Sequence, residues 1–360
     1  MKLPKTLRFL TPFLFLLFLT ISAQGQTGIQ SGVDLFEDGQ LEQAKSFFEN
    51  YLKSNKSDSE ANFYLGRILF DMEEFGDATK SFEQAAKYEK GNSKYHMWLG
   101  HSFGRRAQNA PKLKLPGLAR NSKKNYEKAI EYDPSNVEAR ESAMEYYLQA
   151  PKFVGGGRDK AEEQAKAIFE IEKEAGYIAW GRVYSYFDED EKAVQNYNEA
   201  IESYPELMRP YYSLYSFHFN NQEYGKAAEI AKKQLAVNDT TAAIYNNLGN
   251  ALQRDSQYEE AYEAYQNALE ADSEYYNTYY QIGRLAAISG SYLDEGEEYL
   301  NRFLNADLDL TDNFKAWTYY RLGTIYEKRN NPEIAKTHYQ TALSNDKDHK
   351  ESKEALDRLK

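Results

Sequence analysis

Apolar residues recur at three- and four-residue spacing along most of the chain, in segments of about a dozen residues joined by short polar turns. That period gathers each apolar set on one face of a helix. Sustained period-two alternation is missing, so strands are not expected. Two kinds of segment alternate. The first reads NFYLGRILF (62–70), WLGHSF (98–103), YNNLGNAL (245–252) and YYRLGTIY (319–326). The second reads AKSFFENY (44–51), ATKSFEQA (78–85), AVQNYNEA (193–200), AYEAYQNA (261–268) and AKTHYQTA (335–342). The pair returns about every 34 residues, which predicts stacked helical pairs that bury their apolar faces only against their neighbours.

Each first helix carries glycine at one place: Gly32, Gly66, Gly100, Gly181, Gly249, Gly283 and Gly323, with Met144 and Tyr215 as exceptions. Glycine inside a helix costs about 1 kcal/mol against alanine, so its recurrence in register calls for a packing reason, read here as two backbones approaching closely. A small residue follows in the second helix (Ala44, Ala78, Ala193, Ala227, Ala261, Ala335), and four residues on comes an aromatic such as Phe48, Phe82, Tyr197, Tyr265 or Tyr339. This pattern resembles the tetratricopeptide repeat family, whose unit reads W-x2-L-G-x2-Y and then A-x3-F-x2-A-x4-P. The resemblance covers residues 26–347 in about nine units. It implies an all-α, right-handed superhelical solenoid of helix-turn-helix repeats with a concave surface that binds extended peptides. Residues 348–360 are expected to add a polar capping helix with Ala355, Leu356 and Leu359 facing inward.

Three units depart from the period: two carry insertions, near 105–120 and 150–158, and the eighth has a longer tail, Ala306 to Leu310. Their prolines and glycines are expected to stop one helix and delay the next, and the two insertions should lie side by side on one edge. Between Arg105 and Lys128 the charge reverses: Arg105, Arg106, Lys112, Lys114, Arg120, Lys123, Lys124 and Lys128 face a single acid, Glu127. This edge reads either as a docking site for an acidic partner or lipid head groups, or as a solvated loop in which Leu113, Leu115 and Leu118 cap their own helices. Gly155-Gly156-Gly157 is not a phosphate loop, because no strand precedes it and no Gly-Lys-Ser/Thr follows.

The place after each glycine marks a second candidate site. It holds Arg67, His101, Arg182, Asn250 and Arg284, and Arg209, Tyr212, Asn246, Arg254 and Tyr280 are expected nearby. Arginine and asparagine offer donors to carboxylates and peptide backbone, and tyrosine offers flat apolar area. The residues are therefore read as a groove for an extended, acidic or carboxylate-ended protein segment. The competing reading is that the arginines pair with glutamates of the adjacent helix. Lysine three places before the glycine, which marks the family's chaperone-clamping subclass, is absent, so that activity is not implied.

At the N-terminus, Lys2, Lys5 and Arg8 precede an apolar run from Phe9 to Ile21 and the small residues Ser22, Ala23 and Gly25. Residues 1–25 thus read as a secretory signal cut after Ala23 or Gly25, and no other stretch could cross a membrane. The chain has no cysteine, which excludes disulfides and a lipid-modified N-terminal cysteine. A periplasmic or extracellular location is expected. The net charge is −12, or −15 without the three basic residues of the signal, which argues against nucleic acid as a partner. Five scattered histidines show no ligand spacing, and nucleophile and dinucleotide motifs are missing. The sequence therefore predicts no catalytic residues, no metal and no cofactor. It reads as an exported scaffold or adaptor for a protein partner, with a self-assembling envelope component as the alternative and a glycan-binding or glycan-cleaving protein as a third reading. Oligomerisation is left open.

Overall fold

The computed structural model describes residues 19–108, 110–237, 241–308 and 310–360. Most of the segment read as an export signal therefore lies outside the described residues, and positions 19–25 open the first helix. Two compact units divide the chain, residues 1–188 and 189–360. The first contains α1 (Leu19–Glu37), α2 (Leu41–Ser54), α3 (Ser59–Asp71), α4 (Phe75–Tyr88), α5 (Ser93–Gln108), α6 (Leu115–Tyr132), α7 (Val137–Gln149), α8 (Arg158–Ile171) and α9 (Lys173–Tyr186). The second contains α10 (Asp190–Ser203), α11 (Met208–Asn220), α12 (Tyr224–Val237), α13 (Ala242–Arg254) and α14 (Tyr258–Ala271). It continues through α15 (Tyr276–Ser289), α16 (Leu293–Asn305), α17 (Asp312–Lys328), α18 (Pro332–Asn345) and α19 (Lys350–Arg358). The fold is an all-α repeat, with no strand among the described residues.

The glycine places face side chains, not a second backbone. A Cβ on Gly66 would stand 2.6 Å from the Phe82 ring, and one on Gly249 would stand 2.4 Å from the Tyr265 ring. Those rings are fully buried, so they cannot swing away. The expected backbone–backbone approach is therefore corrected: the recurrent glycine makes room for the aromatic sixteen residues later. The exceptions obey the same volume rule in reverse. Met144 packs in one cluster with Ala165, which stands at the aromatic place, and Tyr215 is matched in register by Ala231. All four are buried.

Turns between paired helices also keep register. The seventh residue after the glycine place adopts a left-handed backbone at Gly39, Glu73, Asp188, Gln222, Ser256, Gly290 and Asn330. The third and fourth repeats lack it, and they are the two with insertions. Asp58, Asn136 and Thr311 start first helices by accepting hydrogen bonds from Ala61, Ala139 and Phe314 backbone N–H groups. At the C-terminus α19 buries Ala355, with Leu356 and Leu359 packed partly against the same cluster, as a cap should.

The first insertion is mostly helix. Instead of leaving a long loop, it extends α5 to 16 residues and α6 to 18, with Pro116 tolerated in the first turn of α6. The second insertion forms a short 3-10 turn, Lys152–Val154, followed by left-handed Gly155, and Gly157 leads directly into α8. The two insertions do meet. Val154 and Leu115 line one cleft, and Gly155 lies beside Lys123 of α6. Leu113 does not cap its helix, since its side chain is 96% exposed.

Candidate functional site

The first-helix positions read as a groove separate into those that packing consumes and those it leaves available. In the first unit Arg67 lies over Trp98, 3.8 Å from the ring centre, and over Phe36 at 5.5 Å. Its Nε is buried without a hydrogen-bond partner, so this guanidinium is held by ring faces. Arg182 donates to Glu145 at 2.6 Å, which fulfils the competing ion-pair reading at that position. His101 shares a hydrogen bond of 3.0 Å with the Tyr126 hydroxyl. Burial, assisted by the Arg67 charge, lowers its pKa to about 4, so it is neutral near pH 7 and adds no positive charge.

This shift has a measurable consequence. Unfolded His101 takes up its proton near pH 6.5, and folded His101 only near pH 4. Between those values the unfolded state binds more protons, so stability is complete above pH 6.5 and falls with acidification toward pH 4. Burial shifts His338 and His349 in the same direction. Urea midpoints should therefore drop across this window, and His101→Gln should flatten the drop. A midpoint unchanged by acid would contradict the burial of these rings.

In the second unit Asn246 is a core residue. It is buried, and its Oδ1 accepts from Thr278 at 3.0 Å, which corrects its assignment to the groove. Asn250 accepts from the Tyr265 hydroxyl at 3.0 Å. Tyr280 packs between Phe303 and Phe314. Tyr212 is half-buried, and burial raises its hydroxyl pKa. Arg209 is exposed at the start of α11 and is already engaged in an interaction.

Arg254 and Arg284 differ from all of these. Arg284 is half-buried and donates only to Gln281, at 3.3 Å. Burial depresses its pKa, and the positive charges of Arg254 and Arg321 depress it further. No ion pair satisfies any of the three among the described residues, and the Arg321 Nε is buried without a partner. Arg321 was not singled out from sequence. It stands two places before Gly323, where Trp98 stands before Gly100. That equivalence explains the cluster. Arg67 meets an aromatic from the following repeat, whereas at the same register Arg284 has the cation Arg321, whose charge acts on it. The ring that takes up Arg67 is thus replaced at Arg284 by a cation, in a chain with twelve more acids than bases. Arg321 itself lies over the Trp317 and Tyr320 rings, at 5.2 and 5.4 Å.

The basic edge separates in the same way. Arg105 lies 3.7 Å from Glu73 and over the Phe75 ring, Arg106 lies over Phe103, and Lys123 lies 3.7 Å from Glu127. Lys112, Lys114, Arg120 and Lys124 are exposed and form no ion pair among the described residues. A cleft of about 540 Å³ opens beside this edge, where His101, Arg105 and Arg182 from the two candidate sets meet the carboxylates of Glu138, Glu141 and Glu145. No group of histidine, aspartate and glutamate suited to a metal occurs among the described residues.

Three segments match tetratricopeptide repeat family models: residues 35–100, 241–271 and 318–349. These three segments carry tetratricopeptide repeats, and repeats of this family bind protein partners. No curated protein matches the chain in sequence. Among solved structures it is similar to YrrB, a tetratricopeptide repeat protein with an unusual peptide-binding site, at 22% identity and a TM-score of 0.44, over 54% of this chain and 97% of YrrB. A tetratricopeptide repeat protein from Parabacteroides merdae matches at 14% identity and a TM-score of 0.47, over 70% of this chain and 95% of its own. A thermophilic repeat protein of Thermus thermophilus matches at 21% identity and a TM-score of 0.42, over 51% and 94% of the two chains. No helix among the described residues is long and apolar enough to cross a membrane.

Proposed function

We propose that this chain is an exported, non-enzymatic scaffold that reversibly captures an extended protein segment bearing acidic side chains or a terminal carboxylate. The anchor is the cluster of Arg254, Arg284 and Arg321, with Asn250 and Gln281 as neighbouring polar groups. One observation carries the reading: the positive charges of exposed Arg254 and half-buried Arg321 both act on half-buried Arg284, and among the described residues none of the three has an ion pair. A carboxylate brought by a partner would supply the missing charge and accept their hydrogen bonds. The apolar N-terminal run supports export, and the repeat fold supports capture of a protein. Periplasmic or extracellular space is the proposed location.

The test is fluorescence anisotropy with a labelled heptaglutamate peptide, its amidated form and a heptalysine control. Heptaglutamate should bind in a salt-sensitive manner and heptalysine should not. Charge-assisted hydrogen bonds contribute about 1.5–3 kcal/mol each, so Arg284→Ala with Arg321→Ala should weaken binding by at least about a hundredfold. Equal binding by that double variant would remove the cluster from the function.

A further inference from the structure

We propose that the paired insertions of the first unit form a docking edge for an anionic phospholipid bilayer. Among the described residues, the two most exposed large apolar side chains are Leu113, at 96%, and Phe153, at 67%. They stand one on each insertion, although the insertions are separate departures from the repeat. Insertions of this kind would be expected to turn apolar residues inward. Here each apolar tip is flanked by lysine, as Lys112-Leu113-Lys114 and Lys152-Phe153, and the flanking lysines are exposed too.

The second insertion is built to present its tip. Val154 is buried, its carbonyl accepts from the Tyr146 hydroxyl at 2.9 Å, and Gly155 turns the chain with φ +101°. These contacts fix the residue next to Phe153 and leave the phenyl ring outside. On the other insertion, Leu115 and Leu118 are partly buried while Leu113 points away into solvent. Contact of the second insertion with α6, which carries the exposed Arg120 and Lys124, brings the two tip-bearing insertions side by side.

The chemistry of this edge matches a lipid surface. Protruding apolar tips need acyl chains to enter, and a bilayer accepts them without a complementary cavity. Lysines beside the tips would sit at the depth of the head-group phosphates, each adding to the attraction. The chain as a whole is acidic, so distant charges repel an anionic surface. Screening confines that repulsion to about 10 Å at ordinary salt, which lets the local positive edge decide. Contact would be peripheral, through the edge alone.

Vesicle co-sedimentation of the full chain tests this. Vesicles of phosphatidylglycerol mixed equally with phosphatidylcholine should bind the protein, and pure phosphatidylcholine should not. Lys112→Glu with Lys114→Glu should reduce partitioning about a hundredfold, from the loss and reversal of two surface charges. Leu113→Asp with Phe153→Asp should also reduce it at least tenfold, and both tips are so exposed that circular dichroism should remain unchanged. Arg284→Ala should have no effect, which separates this edge from the arginine cluster. Absence of binding, equal binding to both vesicle types, or binding indifferent to the two aspartates would each overturn the proposal. The last outcome would leave only a basic surface, suited to an acidic protein.

Discussion

Tyr265→Ala should lower the stability of the second unit by about 3–5 kcal/mol, the range for removing a fully buried aromatic side chain. The ring is completely buried against Gly249, and its hydroxyl donates to Asn250 at 3.0 Å and Gln253 at 3.3 Å. Truncation leaves a cavity where the two helices of a repeat touch, and each repeat is held only by its neighbours. Unfolding should therefore lose cooperativity near α13 and α14, visible as faster amide exchange in those helices. The matching change, Gly249→Ala, tests the same contact from the other side. Its helix-propensity gain of about 1 kcal/mol is opposed by overpacking of about 1–3 kcal/mol, so the substitution should destabilise. Placed together, the added methyl enters part of the cavity left by the ring, and the double variant should be more stable than the sum of the single losses. Additive losses would show that the ring and the glycine do not share one space.

The register of the glycine and of the distant aromatic was legible because the repeat supplies many copies. Their pairing was not, since the sequence reads the glycine as a backbone approach, whereas the structure seats the aromatic ring against it. Even the exceptions follow the pairing, since Met144 and Tyr215 occur where the second helix offers Ala165 and Ala231. The eighth repeat strains the register. Its glycine, Gly283, faces Leu300 rather than Tyr299, and Gly296 replaces the usual alanine. One residue of slippage rotates a helix by about 100°, so a fixed sixteen-residue spacing misreads it. The site was less legible than the fold. Sequence placed Arg67, Arg182 and Arg284 at the same repeat position, but their fates depend on what the neighbouring repeat presents. Trp98 takes up Arg67, Glu145 takes up Arg182, and Arg321 opposes Arg284. A comparison of the place after each glycine with the place two before the next glycine would have found Arg321. For Leu113 no such rule exists, because apolar residues in an insertion have no repeat register to betray their direction.

Arg284→Met should raise stability by about 0.5–2 kcal/mol while weakening the capture of acidic peptides. Most core-adjacent substitutions destabilise, so the sign is the informative part. Methionine keeps the unbranched apolar stem that packs on the helix face, and it removes a half-buried charge. Burial already opposes that charge, and so do Arg254 and Arg321. The hydrogen bond to Gln281, at 3.3 Å on a partly exposed surface, offsets only a little of this cost. Salt gives an independent reading. Added chloride should stabilise the parent more than the variant, because screening relieves a repulsion that only the parent contains. Acidic peptide should raise the parent's melting temperature through binding and leave that of the variant almost unchanged. A less stable Arg284→Met protein would mean that Arg284 is held by a favourable interaction of its own, and the cluster would then be part of the packing. A more stable variant that no longer binds would show that three unneutralised cations are retained against folding stability, as a site awaiting an anion requires.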